Sequence, residues 1–131
     1  MKVVLDTNVL LGAYAASGLC QSLTEACLAS HEVILSEHIL SELSRNLLRK
    51  LYLPVHEIED IISLWRHLAR VVDPASVDCT ACRDSSDAAI LGTALAGGAD
   101  CIVTGDNDLL VLGQFRQIPI LSPRSFQELL S

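Results

Sequence analysis

The chain has 131 residues and a formal net charge of −7, a length that suits one domain with one hydrophobic core, and we assign residues 1–131 to it. Half of the residues are hydrophobic and the mean hydropathy is +0.41, yet no apolar stretch approaches the ~20 residues that a membrane span needs. The negative charge argues against nonspecific adhesion to nucleic acid, because that binding comes from basic residues that neutralise phosphates.

The cysteines and the first residues bear on the compartment. Three of the five cysteines, Cys20, Cys27 and Cys101, fall in segments typical of helix or strand, where a reduced thiol behaves as a small buried hydrophobe. This use of cysteine favours a reducing compartment. Asp6 interrupts the apolar start and argues against a secretory signal. We therefore predict a cytoplasmic protein that does not associate with a membrane.

Short apolar runs alternate with helix-length patterns along the chain. The runs have the look of strands buried on both faces of a parallel sheet, and they lie at residues 2–5, 33–35, 101–103 and 118–121. Helices are predicted at residues 18–30, 36–52, 55–70, 85–97 and 123–130. Val71 and Val72 form a candidate minor strand, and Pro119 places the last strand at a sheet edge. This alternation predicts a three-layer α/β/α sandwich with a central, mainly parallel sheet of four to five strands.

A loop at residues 73–84 (DPASVDCTACRD) is long for a compact domain. Its Cys79 and Cys82 have the C-x-x-C spacing of redox and zinc sites, but a structural zinc needs a second ligand pair, and none is suitably spaced. Thiol redox chemistry and incidental loop cysteines both stay open as interpretations.

Two acidic residues follow predicted strands directly. Asp6 comes after VVL and Asp106 after CIVTG, and the carboxyl ends of parallel strands meet at one edge of the sheet, where ligands bind in such folds. Each acid could instead cap a helix or close a turn, since Asp is favoured at both positions. The sequence thus places two carboxylates on one rim without deciding their role.

Two further acids lie on predicted helices. Asp87 heads an apolar stripe that runs through Ile90, Leu91 and Ala94, so its side chain should face the core. Its place in the first turn also suits the helix dipole, with Asp84 or Ser85 as the cap. Glu42 falls about 60° from the apolar face of its helix, a boundary position that also allows an exposed pairing with a neighbour on the helix.

Carboxylates that are brought together by folding would repel one another, and some would take up protons at neutral pH. A divalent cation removes that repulsion by acting as their shared counter-charge. A ligand set made of oxygen atoms selects Mg²⁺ or Mn²⁺ over zinc. Ions of this kind activate water and stabilise the leaving oxygen in phosphodiester cleavage.

Four segments together resemble the PIN-domain family, specifically the short prokaryotic VapC-like toxins of toxin–antitoxin pairs. They are VVLDTNVLL at the start, the helix with Glu42, CRDSSDAAILGTALAGGADCIVTGDNDLL, and the closing IPILSPRSFQELL. The resemblance covers essentially the whole chain and implies an endoribonuclease that depends on Mg²⁺ or Mn²⁺.

Carried over by position, the resemblance implies catalytic and metal-binding roles for four acids, namely Asp6, Glu42, Asp87 and Asp106. Auxiliary roles fall on Thr7, Asn8, Asp84, Thr104 and Asp108. On this hypothesis Asp6, Asp87 and Asp106 hold the cation and Glu42 binds or orients its water, so that no protein nucleophile is required.

Partners follow from the same resemblance, which implies an RNA substrate, a cognate antitoxin protein and a homodimer. Basic residues on two successive helices offer a candidate RNA-binding surface, made of Arg45, Arg49, Lys50, Arg66 and Arg70. Solvated helix faces would show the same pattern, because Glu57, Glu59 and Asp60 dilute the positive charge.

Two other functions are compatible with parts of the sequence. A PIN-like module that binds RNA or protein without cutting would share the whole pattern, because function resides in the site and not in the fold. A haloacid-dehalogenase-like phosphohydrolase also begins with a strand that ends in Asp, but it needs a second Asp two residues later, and Asn8 occupies that position. The complete set of matched acids favours the nuclease.

Overall fold

A computed structural model of the protein describes residues 1–78, 80, 82 and 84–131. Its strands are β1 (Lys2–Leu5), β2 (Glu32–Ser36), β3 (Arg70–Val72), β4 (Cys101–Val103), β5 (Gln114–Phe115) and β6 (Ile118–Leu121). Its helices are α1 (Thr7–Ala15), α2 (Leu19–Ser30), α3 (Glu37–Arg49), α4 (Val55–Leu68), α5 (Ser85–Gly97), α6 (Asn107–Leu110) and α7 (Pro123–Leu130). No helix within these residues is both long enough and apolar enough to span a bilayer.

The strands form one sheet in the order β3-β2-β1-β4-β6-β5. All pairings are parallel except the one between β5 and β6. In the centre, Val4 lies opposite Ile34 on one side and Ile102 on the other, and all three side chains are fully buried. Helix α5 packs against β1, β2 and β3, while α1 packs against α2 and α3. The predicted α/β/α architecture with a mainly parallel sheet is confirmed.

The chain leaves β1 toward β2 and β3, then returns past β1 to form β4 and β6. The strand order therefore reverses direction between β1 and β4. In parallel sheets, a crevice forms at the carboxyl ends of the two strands that flank such a reversal, and ligands bind in this crevice. Asp6 directly follows β1, and Asp106 lies three residues beyond β4. The topology thus fixes where a site can form.

Three elements were not predicted from the sequence. Helix α1 is apolar nearly all round, so it lacks the alternation of faces that marks a surface helix. Helix α6 is a single turn, and β5 has only two residues. Because of β5 the sheet has six strands instead of the expected four to five, and β6 with Pro119 lies next to the edge and not at it.

The boundaries of two predicted helices are corrected. The helix expected at residues 36–52 ends at Arg49, and the one expected at 55–70 ends at Leu68 because Arg70 begins β3. The pair of valines predicted as a minor strand lies in β3, which is hydrogen-bonded to β2 at the other edge of the sheet.

The long loop after β3 is held against α5 by a close backbone contact. The Ala75 amide donates to the Gly92 carbonyl at 2.9 Å, and a Cβ at position 92 would come within 2.2 Å of the Ala75 carbonyl oxygen. Only glycine lets the loop pass this close to the helix. The predicted C-x-x-C pair cannot be assessed, because Cys79 lies outside the described residues.

Candidate metal centre

An open cleft of about 230 Å³ lies at the carboxyl ends of β1 and β4. Its lining includes all four acids that the sequence analysis assigned to catalysis, together with Asp84, Thr7 and Asn8. Four elements supply these side chains, because α1, α3, α5 and α6 all begin at this edge of the sheet. The structure therefore brings together acids that are up to 100 positions apart in the sequence.

Asp6 is the deepest of these acids, with 6% of its surface exposed. It caps α1, and its Oδ1 accepts a hydrogen bond from the Thr7 amide at 2.7 Å. Its Oδ2 accepts one from the Thr104 hydroxyl at 2.7 Å and a longer one from the Asn8 side chain at 3.3 Å. Burial raises the pKa of Asp6, the bonds from Thr104 and Thr7 oppose that rise, and the charges of Glu42 and Asp106 add to it. Both oxygens are thus held in place on a side chain that resists ionisation.

Asp87 at the start of α5 and Asp106 at the start of α6 both line the cleft and interact with each other. Asp87 is 5% exposed, and burial, followed by the bond to Asp106 and its charge, raises the pKa of Asp87 to about 7. The charges of Asp84 and Asp108 raise it further. Asp106 itself caps α6, with its Oδ1 accepting from the Asp108 amide at 3.0 Å. Asp87 therefore ionises less readily than a free carboxyl group, because a second carboxylate lies beside it.

Glu42 reaches the cleft from α3 and is half-buried. Its Oε1 accepts a hydrogen bond from the Ser86 hydroxyl at 2.8 Å, which links α3 to the first turn of α5. The Nε2 of His38 lies 2.6 Å from the same oxygen, without the orientation of a regular hydrogen bond. Glu42 therefore contacts Ser86 of α5 across the cleft and His38 one turn earlier on its own helix.

A buried pair of hydroxyl groups fixes the two helices that carry Glu42 and Asp87. The Oγ1 of Thr93 lies 2.9 Å from the Oγ of Ser36 and 2.7 Å from the carbonyl of Ala89. Thr93 has one proton to give, so its hydroxyl donates to the carbonyl and the Ser36 hydroxyl donates to Thr93. The start of α3 is thereby joined to the middle of α5.

The auxiliary residues occupy distinct places around the acids. Asn8 bridges the two strand ends, because its Nδ2 donates to Asp6 while its Oδ1 accepts from the Gly105 amide at 2.9 Å. Thr104 also accepts from the Asp106 amide at 3.0 Å. Asp84 caps α5 through the Ser86 amide at 2.9 Å. The Oγ1 of Thr7 is buried and has no hydrogen-bond partner among the described residues.

The predicted RNA-binding residues divide into two groups. Lys50 lines the cleft, and Arg45 and Arg49 are exposed on the same helix, α3. Arg66 is exposed on α4 and forms an ion pair with Glu37, and Arg70 is exposed at the start of the edge strand β3. Of the predicted basic residues, Lys50 at the end of α3 is the one that lines the cleft.

Comparison with known proteins agrees with this architecture. The sequence profile of the family described as the PIN domain matches residues 2–108. The chain belongs to the PIN-domain family. Among solved structures, this PIN domain is similar to a chain in the crystal structure of VapBC2 from Rickettsia felis bound to a DNA fragment from their promoter, with a TM-score of 0.65 and 12% sequence identity over 93% of this chain and 98% of that one. No curated protein matches it in sequence.

The donor chemistry of this PIN domain suits a hard divalent cation. The cleft offers carboxylate and hydroxyl oxygens, the ligands that Mg²⁺ and Mn²⁺ prefer, and it leaves the Thr7 hydroxyl without a partner. Within the part of the chain that the structure describes, no three His, Cys, Asp or Glu side chains already form a group that could hold a metal. The cleft thus has the types of ligand atom that such an ion prefers. Binding would require the carboxyl groups to move closer together.

Sequence reasoning missed two residues of this site. Asn46 lines the cleft, and its position one helical turn after Glu42 was the available signal. Ser86 bonds to Glu42, but nothing in the sequence distinguishes its hydroxyl from that of the neighbouring Ser85. His38 lies one turn before Glu42, and the structure places the two side chains in contact.

The pKa of Asp87 predicts how stability depends on pH without metal. The folded pKa is about 7 and the unfolded value is 3.8, so between these values the folded chain binds more protons, and its stability falls as the pH rises. Asp87→Asn cannot ionise. In EDTA we expect the free energy of unfolding of Asp87→Asn to equal that of the wild type at pH 4 to within about 1 kcal/mol. At pH 8 we expect it to be higher than that of the wild type by about 1–2 kcal/mol.

Urea unfolding followed by circular dichroism at both pH values measures this difference. Asp60→Asn, on the exposed face of α4, is the matched control and should follow the wild type at both. Equal pH profiles for the wild type and Asp87→Asn would contradict the raised pKa of Asp87.

Proposed function

We propose that this PIN domain is a metal-dependent endoribonuclease that cleaves RNA phosphodiester bonds with Mg²⁺ or Mn²⁺ as cofactor. The observation that carries the proposal is the cleft itself, where four carboxyl groups from separate elements converge and burial raises the pKa of two of them, Asp6 and Asp87. Folding alone gains nothing from placing like charges together in a desolvated site. A bound cation would turn that arrangement into a favourable one.

In this proposal Asp6, Asp87 and Asp106 hold the cation, and Glu42 binds or orients the attacking water. When bound, the metal supplies an activated water and stabilises charge on the phosphate and the leaving oxygen. The chain's own contribution is positioning. Thr104, Thr7 and Asn8 hold the oxygens of Asp6, and the Ser86 hydroxyl holds Oε1 of Glu42 toward the cleft.

The outer residues have supporting parts in the proposal. Asp84 and Asp108 add negative charge around Asp87 and so strengthen the attraction for a cation. Lys50, with Arg45 and Arg49 on the same helix, offers positive charge at the cleft for the RNA backbone. Arg66 and Arg70 remain candidates for a more distant part of the RNA path, although Arg66 already has Glu37 as its partner.

We further propose that the protein is the cytoplasmic toxin of a toxin–antitoxin pair and forms a homodimer. The fold it shares with a chain of the VapBC2 structure supports this assignment. A small DNA-binding reading frame directly upstream would supply the partner, and co-expression of both chains with a tag on one should give a complex on size-exclusion chromatography. Elution of the two chains as separate species would count against the pairing.

The central test is cleavage of RNA by the purified protein. We expect Mg²⁺ or Mn²⁺ to support cutting of single-stranded RNA, EDTA to stop it, and Asp6→Asn to lower the rate by roughly two orders of magnitude or more, because this variant removes a buried ligand charge. Circular dichroism should show Asp6→Asn folded, since Asn fills the same space. Undiminished cutting by the folded variant would refute the role of Asp6.

Metal binding can be tested without activity. An ion that binds only the folded state at a hundredfold excess over its Kd adds about 2.7 kcal/mol of stability, which corresponds to a rise in Tm of about 5–10 °C for a domain of this size. We expect Mn²⁺ to raise the Tm of the wild type and of Asp60→Asn, and not that of Asp6→Asn. The same rise in all three proteins would place the ion elsewhere.

A further inference from the structure

Tyr52 adopts an unusual backbone conformation in the turn between α3 and α4. Three non-glycine residues among those described have positive φ, and two of them, Arg116 and Gln117, form the two-residue turn between β5 and β6, where hairpin geometry demands that conformation. Tyr52, at φ 55°, is in no hairpin. Glycine or asparagine normally occupies such a position just after a helix, and a bulky residue there costs about 1 kcal/mol or more.

The ring of Tyr52 does not offset this strain by packing against the rest of the protein. It is 83% exposed, whereas its neighbours Leu51 and Leu53 both pack against the core. The Leu53 amide also donates to the Leu47 carbonyl at 3.1 Å, which closes the turn. Two anchored leucines and a closed turn therefore hold the backbone of Tyr52 in place and direct its ring into solvent, a preorganised arrangement that favours binding.

Basic residues lie close to Tyr52 in the sequence, as expected for a surface that binds nucleic acid. It follows Arg49 and Lys50 at the end of α3, and Lys50 lines the acidic cleft. Glu42, Asn46 and Lys50 succeed one another at helical spacing and all line the cleft, so this face of α3 leads away from the acids for about 12 Å. An RNA strand whose phosphate contacts Lys50 would thus continue past Tyr52.

We propose that Tyr52 is a base-stacking subsite for single-stranded RNA, with Lys50 binding an adjacent phosphate. An exposed aromatic ring beside a cation is how proteins bind single strands without reading sequence, because every base has a π-face that can stack. Arg49 and Lys50, three and two residues before Tyr52, favour a polyanion as the occupant, whereas the exposed side chains of Leu48 and Val55 are the ones that a docking protein would contact. The subsite rests on the proposed nuclease function and adds to it the place where the strand is held beyond the cleft.

Binding should be measured with a labelled single-stranded RNA in the Asp6→Asn background, which prevents cutting. Removal of a stacked base contact weakens binding by about 5- to 150-fold, and we expect that loss for Tyr52→Ala and Tyr52→Gly. Tyr52→Phe keeps the ring and should bind as the parent does. Tyr52→Gly also relieves the strained backbone and should melt no lower than the parent, so its loss of binding cannot be attributed to unfolding.

A double-mutant cycle with RNA identifies the contact itself. Abasic sites placed one at a time along the oligonucleotide should reveal one position whose removal weakens binding of the parent but adds nothing in Tyr52→Ala, because the contact is already absent. Unchanged affinity in Tyr52→Ala, an equal loss in Tyr52→Phe, or additive losses at every position would each overturn the subsite. Loss of antitoxin binding with intact RNA binding would also overturn it and would assign the ring to a protein contact.

The two proposals fail in different ways. If the wild type cuts no RNA with either metal while binding still depends on the ring of Tyr52, the nuclease proposal fails and the stacking site stands. If cutting proceeds normally and binding is insensitive to the ring, the stacking site fails and the nuclease proposal stands.

Discussion

Burial of like charges dominates the chemistry of this protein. Asp6 and Asp87 are each about 95% buried, at the edge of a sheet whose central strands bury an unbroken set of apolar side chains. Loss of hydration disfavours their ionised forms, and the neighbouring carboxyl groups disfavour them further. The fold supplies enough stability elsewhere to hold these groups together, and their unfavourable electrostatics make the cleft the natural place for a cation.

The sheet topology and a few hydrogen bonds hold that arrangement. The reversal between β1 and β4 places Asp6 and Asp106 at adjacent strand ends, and Asn8 and Thr104 link the two loops. The helices are aligned separately, by the buried contact between Ser36 and Thr93. The acids are thus held at one edge of the sheet by the scaffold behind them.

Much of this was predictable because it follows from strand order and helical period. The strands that form the centre of the sheet are continuous apolar runs, and Asp6 and Asp106 follow two of them. Asp87 shares a face with buried residues, which the 3.6-residue period reveals. The contacts that orient the site were not predictable, because Ser86 and Glu42 are 44 positions apart and either of two neighbouring serines could have made the bond. Helix α1 and the backbone of Tyr52 also escaped prediction, since a helix that is apolar nearly all round and a strained turn leave no periodic signal.

The hydrogen bond between Thr104 and Asp6 joins residues 98 positions apart. β1 lies between β2 and β4, so it acquires its second neighbour only when residues 101–103 have been made. The cleft therefore cannot be completed before the segment that carries Asp106 has been synthesised. Long-range pairing of this kind slows folding, so the acidic centre assembles only together with the middle of the sheet.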